Sequence, residues 1–221
     1  MRARRQRRRA GFTMLELTIA GTLLIVVLGG LGVALQRGLG MFRQSTANQE
    51  TDGRLDRALE RIQRELLGAS ANSLAPDLTT VVGNPTTWSN ALEFQLATGW
   101  AGGAQTLGDV QRIELRLDRG ELDNGLDDDG DGLVDDQEVV LIRDFGGLDE
   151  QEVVLVTDVA EFLEGEDPGD GDDDNGNGLE DESGLAFDLD GDTLNVRLTV
   201  GRNGPQGLIL RTRTASLSLR N

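Results

Sequence analysis

The chain has 221 residues, with 39 acidic and 21 basic side chains and a formal net charge of −18. Every basic residue is arginine, and the sequence contains no Lys, His, Cys or Tyr. These absences exclude histidine general bases, cysteine nucleophiles, Schiff-base lysines, Cys/His zinc sites and disulfide bonds. The acidic balance argues against nucleic-acid binding by the folded part, since phosphate contacts need a basic surface. It favours the binding of cations.

Charge is distributed unevenly along the chain. Residues 1–11 carry six arginines and no acid, whereas residues 121–192 carry 28 of the 39 acids and a single base, Arg143. The length allows one or two domains. The pattern predicts a basic leader and, far from it, an acidic region in a different environment.

An uncharged, apolar run of 19 residues, 17–35, follows the leader. As a helix it is long enough to cross a bilayer, so residues 12–40 are predicted to hold one transmembrane helix. The arginines before it place the N-terminus in the cytoplasm by the positive-inside rule, with everything after residue 40 outside. A cleaved secretory signal is the alternative, but residues 33–36, VALQ, are a poor cleavage site.

The start of that run, residues 11–16 with the sequence GFTMLE, resembles the processing site of type IV prepilins and pseudopilins. The resemblance implies that prepilin peptidase cuts between Gly11 and Phe12, removes residues 1–11 and leaves an N-methylated Phe12. Glu16 then becomes the fifth residue of the mature chain and an assembly residue. A carboxylate at the edge of the hydrocarbon is costly unless paired, and a neighbour's α-ammonium offers a partner. The simpler alternative places Glu16 among the lipid headgroups.

Residues 41–68 are predicted to form an amphipathic helix. Apolar side chains recur at Leu55, Leu59, Ile62 and Leu66, at spacings of four, three and four, with charged residues on the other faces. This period is typical of a helix whose apolar stripe packs on a sheet. A free coiled-coil stalk is the weaker alternative, because fewer than three heptads are sustained.

After Gly68 the sequence loses the helical period and indicates strands separated by turn residues. The predicted strands are residues 91–97, 110–117, 138–142, 152–156, 185–189, 194–200 and 208–219. Asp190-Gly191 is a two-residue hairpin signal, which assigns Asp188, Asp190 and Asp192 to a tight turn rather than to a metal site. A small antiparallel sheet packed on the helix gives an α+β head over residues 69–221.

Residues 127–138, DDDGDGLVDDQE, match the spacing of a calcium-binding EF-hand loop. The candidate ligands at positions 1, 3, 5, 7, 9 and 12 are Asp127, Asp129, Asp131, the Leu133 carbonyl, Asp135 and Glu138. Gly132 at position 6 permits the sharp turn. The flanks indicate strands, so a calcium loop between strands is predicted rather than a helical EF-hand. The alternative is a solvated acidic loop, because seven of the twelve residues are acidic and favour a chance match.

A second acidic stretch, residues 173–184, repeats this spacing and lacks an acid at its twelfth position. Its candidate ligands are Asp173, Asn175, Asn177 and Asp181. A disordered Gly/Asp linker is an equally supported alternative. Acid–base catalysis by these carboxylates is the least favoured interpretation, since their glycine-spaced setting is typical of metal binding.

The layout as a whole resembles minor pilins of the PilW type and the J-type minor pseudopilins of type II secretion. Residues 54–67, RLDRALERIQRELL, look like the helix that those proteins carry at the same distance from the processing site. The resemblance implies a pilin-like fold and a non-enzymatic subunit that starts or tips a type IV pilus or secretion pseudopilus. It also implies an inner-membrane anchor, a head in the periplasm or outside the cell, and contacts with other pilin or pseudopilin subunits. Several pseudopilins bind calcium in their heads. The alternative is an unprocessed, single-span membrane protein whose acidic head binds calcium.

Overall fold

The computed structural model describes residues 13–78, 87–166 and 169–219. The chain divides into two compact units, Met1–Ser45 and Thr46–Asn221. The leader and the predicted cleavage site at Gly11 and Phe12 lie outside the described residues.

A single helix, α1 (Met14–Leu66), runs through 53 residues. It contains a segment near the N-terminus that is long and apolar enough to span a membrane, with a mean hydropathy of 2.3 over its best 18 residues. None of that window is buried within the protein. A helix suited to a single membrane span is therefore present where the apolar run predicted it.

The second unit begins with the last third of α1, where the helix becomes amphipathic. The predicted stripe of Leu55, Leu59, Ile62 and Leu66 is buried, which confirms the periodic pattern. These side chains join one hydrophobic core with residues from the sheet, so α1 and the sheet pack as two layers around a shared interior.

The sheet has eight antiparallel strands and is larger than the small sheet that the sequence predicted. They are β1 (Trp88–Ser89), β2 (Ala91–Ala101), β3 (Ala104–Leu117), β4 (Gln137–Arg143), β5 (Gln151–Val159), β6 (Leu185–Asp190), β7 (Thr193–Gly204) and β8 (Gly207–Ser218). The order is β1-β6-β7-β5-β4-β3-β2, with β8 paired to β7. All seven predicted strands are confirmed, with longer ends for most of them, and the α+β class is confirmed with them.

The hairpin predicted at Asp190-Gly191 joins β6 to β7, with Asp190 opposite Thr193. Gly191 has a φ of 60°, as such a turn requires. Asp188, however, is not a turn residue. It is buried in β6 and accepts hydrogen bonds from Arg197 Nε (2.9 Å) and Asn195 Nδ2 (2.8 Å). Arg197 on the neighbouring strand compensates the charge of this buried carboxylate, so β6 continues past Asp188.

Two long connections carry most of the acidic residues. We call residues 118–136, between β3 and β4, the first acidic loop, and residues 160–184, between β5 and β6, the second acidic loop. Because β4 pairs with both β3 and β5, the ends of these three strands lie side by side where the first loop begins and ends.

Candidate metal centre

The first acidic loop is coiled around its own carboxylates. Asp127 accepts hydrogen bonds from the main-chain N–H groups of Gly130 (2.6 Å) and Gly132 (3.0 Å). Asp131 accepts one from the N–H of Leu133 (2.8 Å), whose buried side chain packs over Gly201 of β7. The backbone is therefore fixed in a tight coil with its acidic side chains held close together.

Two of the predicted ligands meet a residue that the motif did not include. One carboxylate oxygen from each of Glu121, Asp127 and Asp129 lies within 4.8 Å of the other two, a spacing that could hold a metal ion. Glu121 is buried, and its Oε1 accepts N–H bonds from Asp128 (3.0 Å) and Asp129 (2.9 Å). Its Oε2 is buried and has no hydrogen-bond partner in the part of the chain that the structure describes, so it could bind a cation.

Asp135 and Glu138 are directed elsewhere. Asp135 accepts hydrogen bonds from the N–H groups of Asn124 (3.0 Å) and Gly125 (2.8 Å), which closes the loop on itself. Glu138 lies on β4 and forms an ion pair with Arg116 on β3 at 2.8 Å. That hydrogen bond raises the pKa of the arginine. Of the six predicted ligands, the structure groups Asp127 and Asp129 and gives Glu138 an arginine partner.

The second acidic loop repeats the same internal bonds. Asp173 accepts the N–H of Asn177 (3.0 Å) and of Gly178 (2.8 Å), and the Asn177 side chain accepts the N–H of Leu179 (3.0 Å). Asp181 accepts N–H bonds from Gly169 and Gly171 at 2.9 and 3.1 Å. In the described residues of this loop, the acidic and amide side chains thus hydrogen-bond to the loop's own backbone, as they do in the first loop.

Carboxylates are crowded together in both coils. Partial desolvation raises the pKa of Asp131, although the residue is exposed, and the nearby charges of Asp129, Asp158 and Asp127 add to that effect. Burial likewise raises the pKa of Glu166 in the second loop, together with the charge of Glu182. Glu182 is fully buried, with its carboxylate close to that of Glu166. Both loops thus concentrate negative charge that a bound cation would neutralise.

Glu16, the predicted assembly residue, caps the start of α1. Its Oε2 accepts hydrogen bonds from the Thr13 N–H (2.8 Å) and hydroxyl (2.9 Å), and its own N–H donates to the Thr13 hydroxyl (3.2 Å). This reciprocal arrangement is a capping box. It fixes the Glu16 carboxylate beside the residue that precedes the helix.

Comparisons with protein-family models, with curated proteins and with solved structures returned no match for this chain. We therefore infer its function from its own residues.

Proposed function

We propose that this protein is a minor pilin or pseudopilin: a membrane-anchored structural subunit, processed by prepilin peptidase, that starts or tips a type IV pilus or a type II secretion pseudopilus. The observation that carries the proposal is the continuity of α1. One helix begins three residues after Gly11, offers an apolar segment suited to a membrane, and ends in the core of the second unit. A subunit that is drawn from a membrane into a filament needs such a connection between anchor and head.

The cap at the start of α1 supports a role for Glu16 in assembly. The capping box holds the carboxylate at the first turn, where the positive end of the helix dipole favours a negative charge. Removal of residues 1–11 would create an α-ammonium one residue before Thr13. We propose that Glu16 pairs with that group on a neighbouring subunit, which would offset the cost of a carboxylate at the membrane edge.

We also propose that the head binds calcium in the first acidic loop, through Glu121, Asp127 and Asp129. All three donors are carboxylate oxygens, which hard cations prefer, and calcium accepts the irregular, six- to eight-coordinate shells that flexible loops provide. The alternative, an unprocessed single-span calcium-binding protein, shares this site. The two proposals differ in the N-terminus of the mature chain.

The decisive experiment is mass spectrometry of the intact protein extracted from membranes of cells that contain prepilin peptidase. We expect a chain that begins at Phe12 and carries an N-methyl group. Gly11→Val is the matched control, because it should keep the span and retain the leader. A wild-type chain with an intact leader would favour the alternative, and a start beyond residue 35 would indicate a cleaved secretory signal.

A pair of substitutions at Glu16 separates its two roles. Glu16→Gln retains a hydrogen-bond acceptor for the Thr13 N–H but removes the charge, whereas Glu16→Leu removes both. If the carboxylate pairs with an ammonium, both variants should enter the membrane and both should be depleted from filaments, as measured by fractionation and immunoblotting. Normal incorporation of Glu16→Gln would show that the cap, rather than the charge, is what matters.

A further inference from the structure

A buried carboxylate stands directly before β4. Asp136 is 1% exposed, and neither of its side-chain oxygens has a hydrogen-bond partner in the part of the chain that the structure describes. An ionised carboxylate in this position is costly unless a positive charge compensates it. The EF-hand spacing does not include this residue, since it falls at position 10 of the motif.

Two further carboxylates converge on Asp136 from neighbouring strands. One oxygen from each of Asp118, Asp136 and Asp158 lies within 4.8 Å of the other two. Asp118 follows β3, and its N–H donates to the main-chain carbonyl of Asp136 at 3.0 Å. Asp158 belongs to β5. The three acids thus come from three segments that strand pairing brings together, rather than from one acidic run.

The charges around this cluster do not balance. Arg54 of α1 forms an ion pair with Asp158, whereas Asp118 and Asp136 form no ion pair with the arginines that the structure describes. Burial raises the pKa of Asp136 to about 7, and repulsion from Asp131, Asp118, Glu121 and Asp129 adds to that effect. A divalent cation bound there would neutralise the ionised carboxylates of Asp118 and Asp136.

We propose that Asp118, Asp136 and Asp158 bind a divalent cation, calcium by preference, at the junction of β3, β4 and β5. We call this the strand-junction site, to distinguish it from the loop site of Glu121, Asp127 and Asp129. Its donors are all carboxylate oxygens, which excludes metals that require sulfur or nitrogen ligands. Calcium is favoured over magnesium because the side chains approach from three separate segments, and this suits a large ion with irregular coordination.

The position of the strand-junction site gives the cation a structural role. It would join the two ends of the first acidic loop, at Asp118 and Asp136, to the neighbouring strand β5. Through the ion pair between Asp158 and Arg54 it would also reach α1. An ion bound there stabilises the folded head by mass action, because the unfolded chain does not bring the three carboxylates together.

The test is calcium binding by the full-length protein in detergent micelles, measured by equilibrium dialysis with radioactive calcium. Three variants each replace one carboxylate with an amide: Asp136→Asn at the strand junction, Asp127→Asn in the loop site, and Asp109→Asn, an exposed control on β3. We expect Asp136→Asn to bind one calcium ion fewer than wild type and Asp109→Asn to bind as many. The double variant with Asp127→Asn should lose a second ion.

Thermal unfolding of the same proteins provides the second readout. In chelator Asp136→Asn should unfold at or above the wild-type midpoint, since a neutral amide relieves the repulsion. In millimolar calcium the wild type should have the higher unfolding midpoint. If Asp136→Asn does not fold, Asp118→Asn is measured instead, because its main-chain bond to Asp136 survives the change.

Equal calcium binding by wild type and the Asp136 or Asp118 variant would overturn the proposal and leave Asp136 as a protonated, buried carboxyl group. An unchanged Asp127→Asn would overturn only the loop site. The strand-junction site does not depend on processing or filament assembly, so an intact leader would leave it unaffected.

Discussion

The two acidic loops share one backbone conformation and differ in the residues at several positions of the twelve-residue pattern. In each, the aspartate at position 9 has a positive φ, 48° at Asp135 and 51° at Asp181. In each, the aspartate at position 1 accepts the N–H of the glycine at position 6, Gly132 or Gly178. The spacing of Gly, Asp and Asn is therefore sufficient to coil the chain, since short polar side chains bond to their own backbone and tolerate such turns.

The loops differ at positions 3 and 5. These are Asp129 and Asp131 in the first loop and Asn175 and Asn177 in the second. Both triads of carboxylates that could hold a metal include residues of the first loop, and the described part of the second loop forms none. An amide gives the same turn as a carboxylate without its charge. The comparison indicates that hydrogen bonds fold both loops, whereas among the described residues only the first brings three carboxylate oxygens close enough to share a cation.

The largest expected change in the free energy of unfolding follows from replacing the leucine after position 6 of each loop. These residues, Leu133 and Leu179, are both buried. Leu133→Ala and Leu179→Ala should each lower the free energy of unfolding by about 2 to 5 kcal/mol, because each leaves a cavity where a buried side chain was packed. Urea unfolding of the full-length protein in detergent with calcium measures both. Val134→Ala is the exposed control. A cost below about 1 kcal/mol at either leucine would show that its loop is not anchored as described.

Substitution of the glycine at position 6 should destabilise the two loops by different amounts. Gly132 and Gly178 have φ values of 94° and 92°, so alanine is strained at either, by about 1 to 2 kcal/mol. A Cβ at Gly132 would also lie 2.3 Å from Asn203 Nδ2, whereas one at Gly178 would meet nothing within 4 Å. Gly132→Ala should therefore cost about 1 to 3 kcal/mol more than Gly178→Ala in urea unfolding. Asn203→Gly should remove that difference, and equal costs without it would contradict the close approach.

The pH dependence of unfolding should also distinguish the loops when calcium is removed. The pKa of Asp136 is raised to about 7 from an ordinary value of 3.8, so between these values the folded state binds more protons than the unfolded state. Stability in chelator should consequently fall as the pH rises from about 4 to about 7. The charged groups around Asp136 are Asp118, Glu121, Asp129 and Asp131, together with Asp158, which carries the positive charge of Arg54 beside it.

Thermal unfolding across this pH range checks the expectation. Asp136→Asn should flatten the profile, and it should do so more than Glu166→Gln, because Glu166 is only half-buried. Calcium should flatten the wild-type profile as well. A wild-type midpoint that rises with pH in chelator would contradict the burial of a charged Asp136.

The smallest effect concerns conversion of one loop into the other. Asn175→Asp with Asn177→Asp should raise the calcium affinity of the second loop by about tenfold, since calcium affinity follows the charge of the ligand set. The matched reverse change, Asp129→Asn with Asp131→Asn, should weaken binding by the first loop. Isothermal titration of the full-length variants measures both changes. If Asn175→Asp with Asn177→Asp leaves calcium binding unaltered, the second loop does not form a calcium site.

The local patterns of the sequence predicted local structure well. The stripe of Leu55, Leu59, Ile62 and Leu66 predicted the buried helix face, and the glycine at position 6 predicted the turn in each loop. The local patterns did not predict which carboxylates form each candidate metal site. Glu121 lies outside the twelve-residue motif, and Asp118, Asp136 and Asp158 meet only because β4 pairs with both β3 and β5.

Glu138 illustrates the same limit. The motif places it at position 12, but the register of β3 and β4 sets it opposite Arg116. An adjacent guanidinium is a strong partner for a buried carboxylate. Strand register depends on the whole sheet rather than on a local window. The sequence therefore predicted which loop is acidic and coiled, but not which of its carboxylates converge.

The last third of α1 has a mechanical consequence. Arginines on β4, β7 and β8 pair with helix acids, in the pairs Arg143–Glu65, Arg202–Glu50 and Arg213–Asp56, while Arg54 of the helix pairs with Asp158 on β5. A tensile force applied along this helix would be shared among four strands rather than carried by one. Exposed ion pairs are screened by salt, so these pairs should contribute less at high ionic strength. The buried stripe of Leu55, Leu59, Ile62 and Leu66 should then supply most of the resistance to the force.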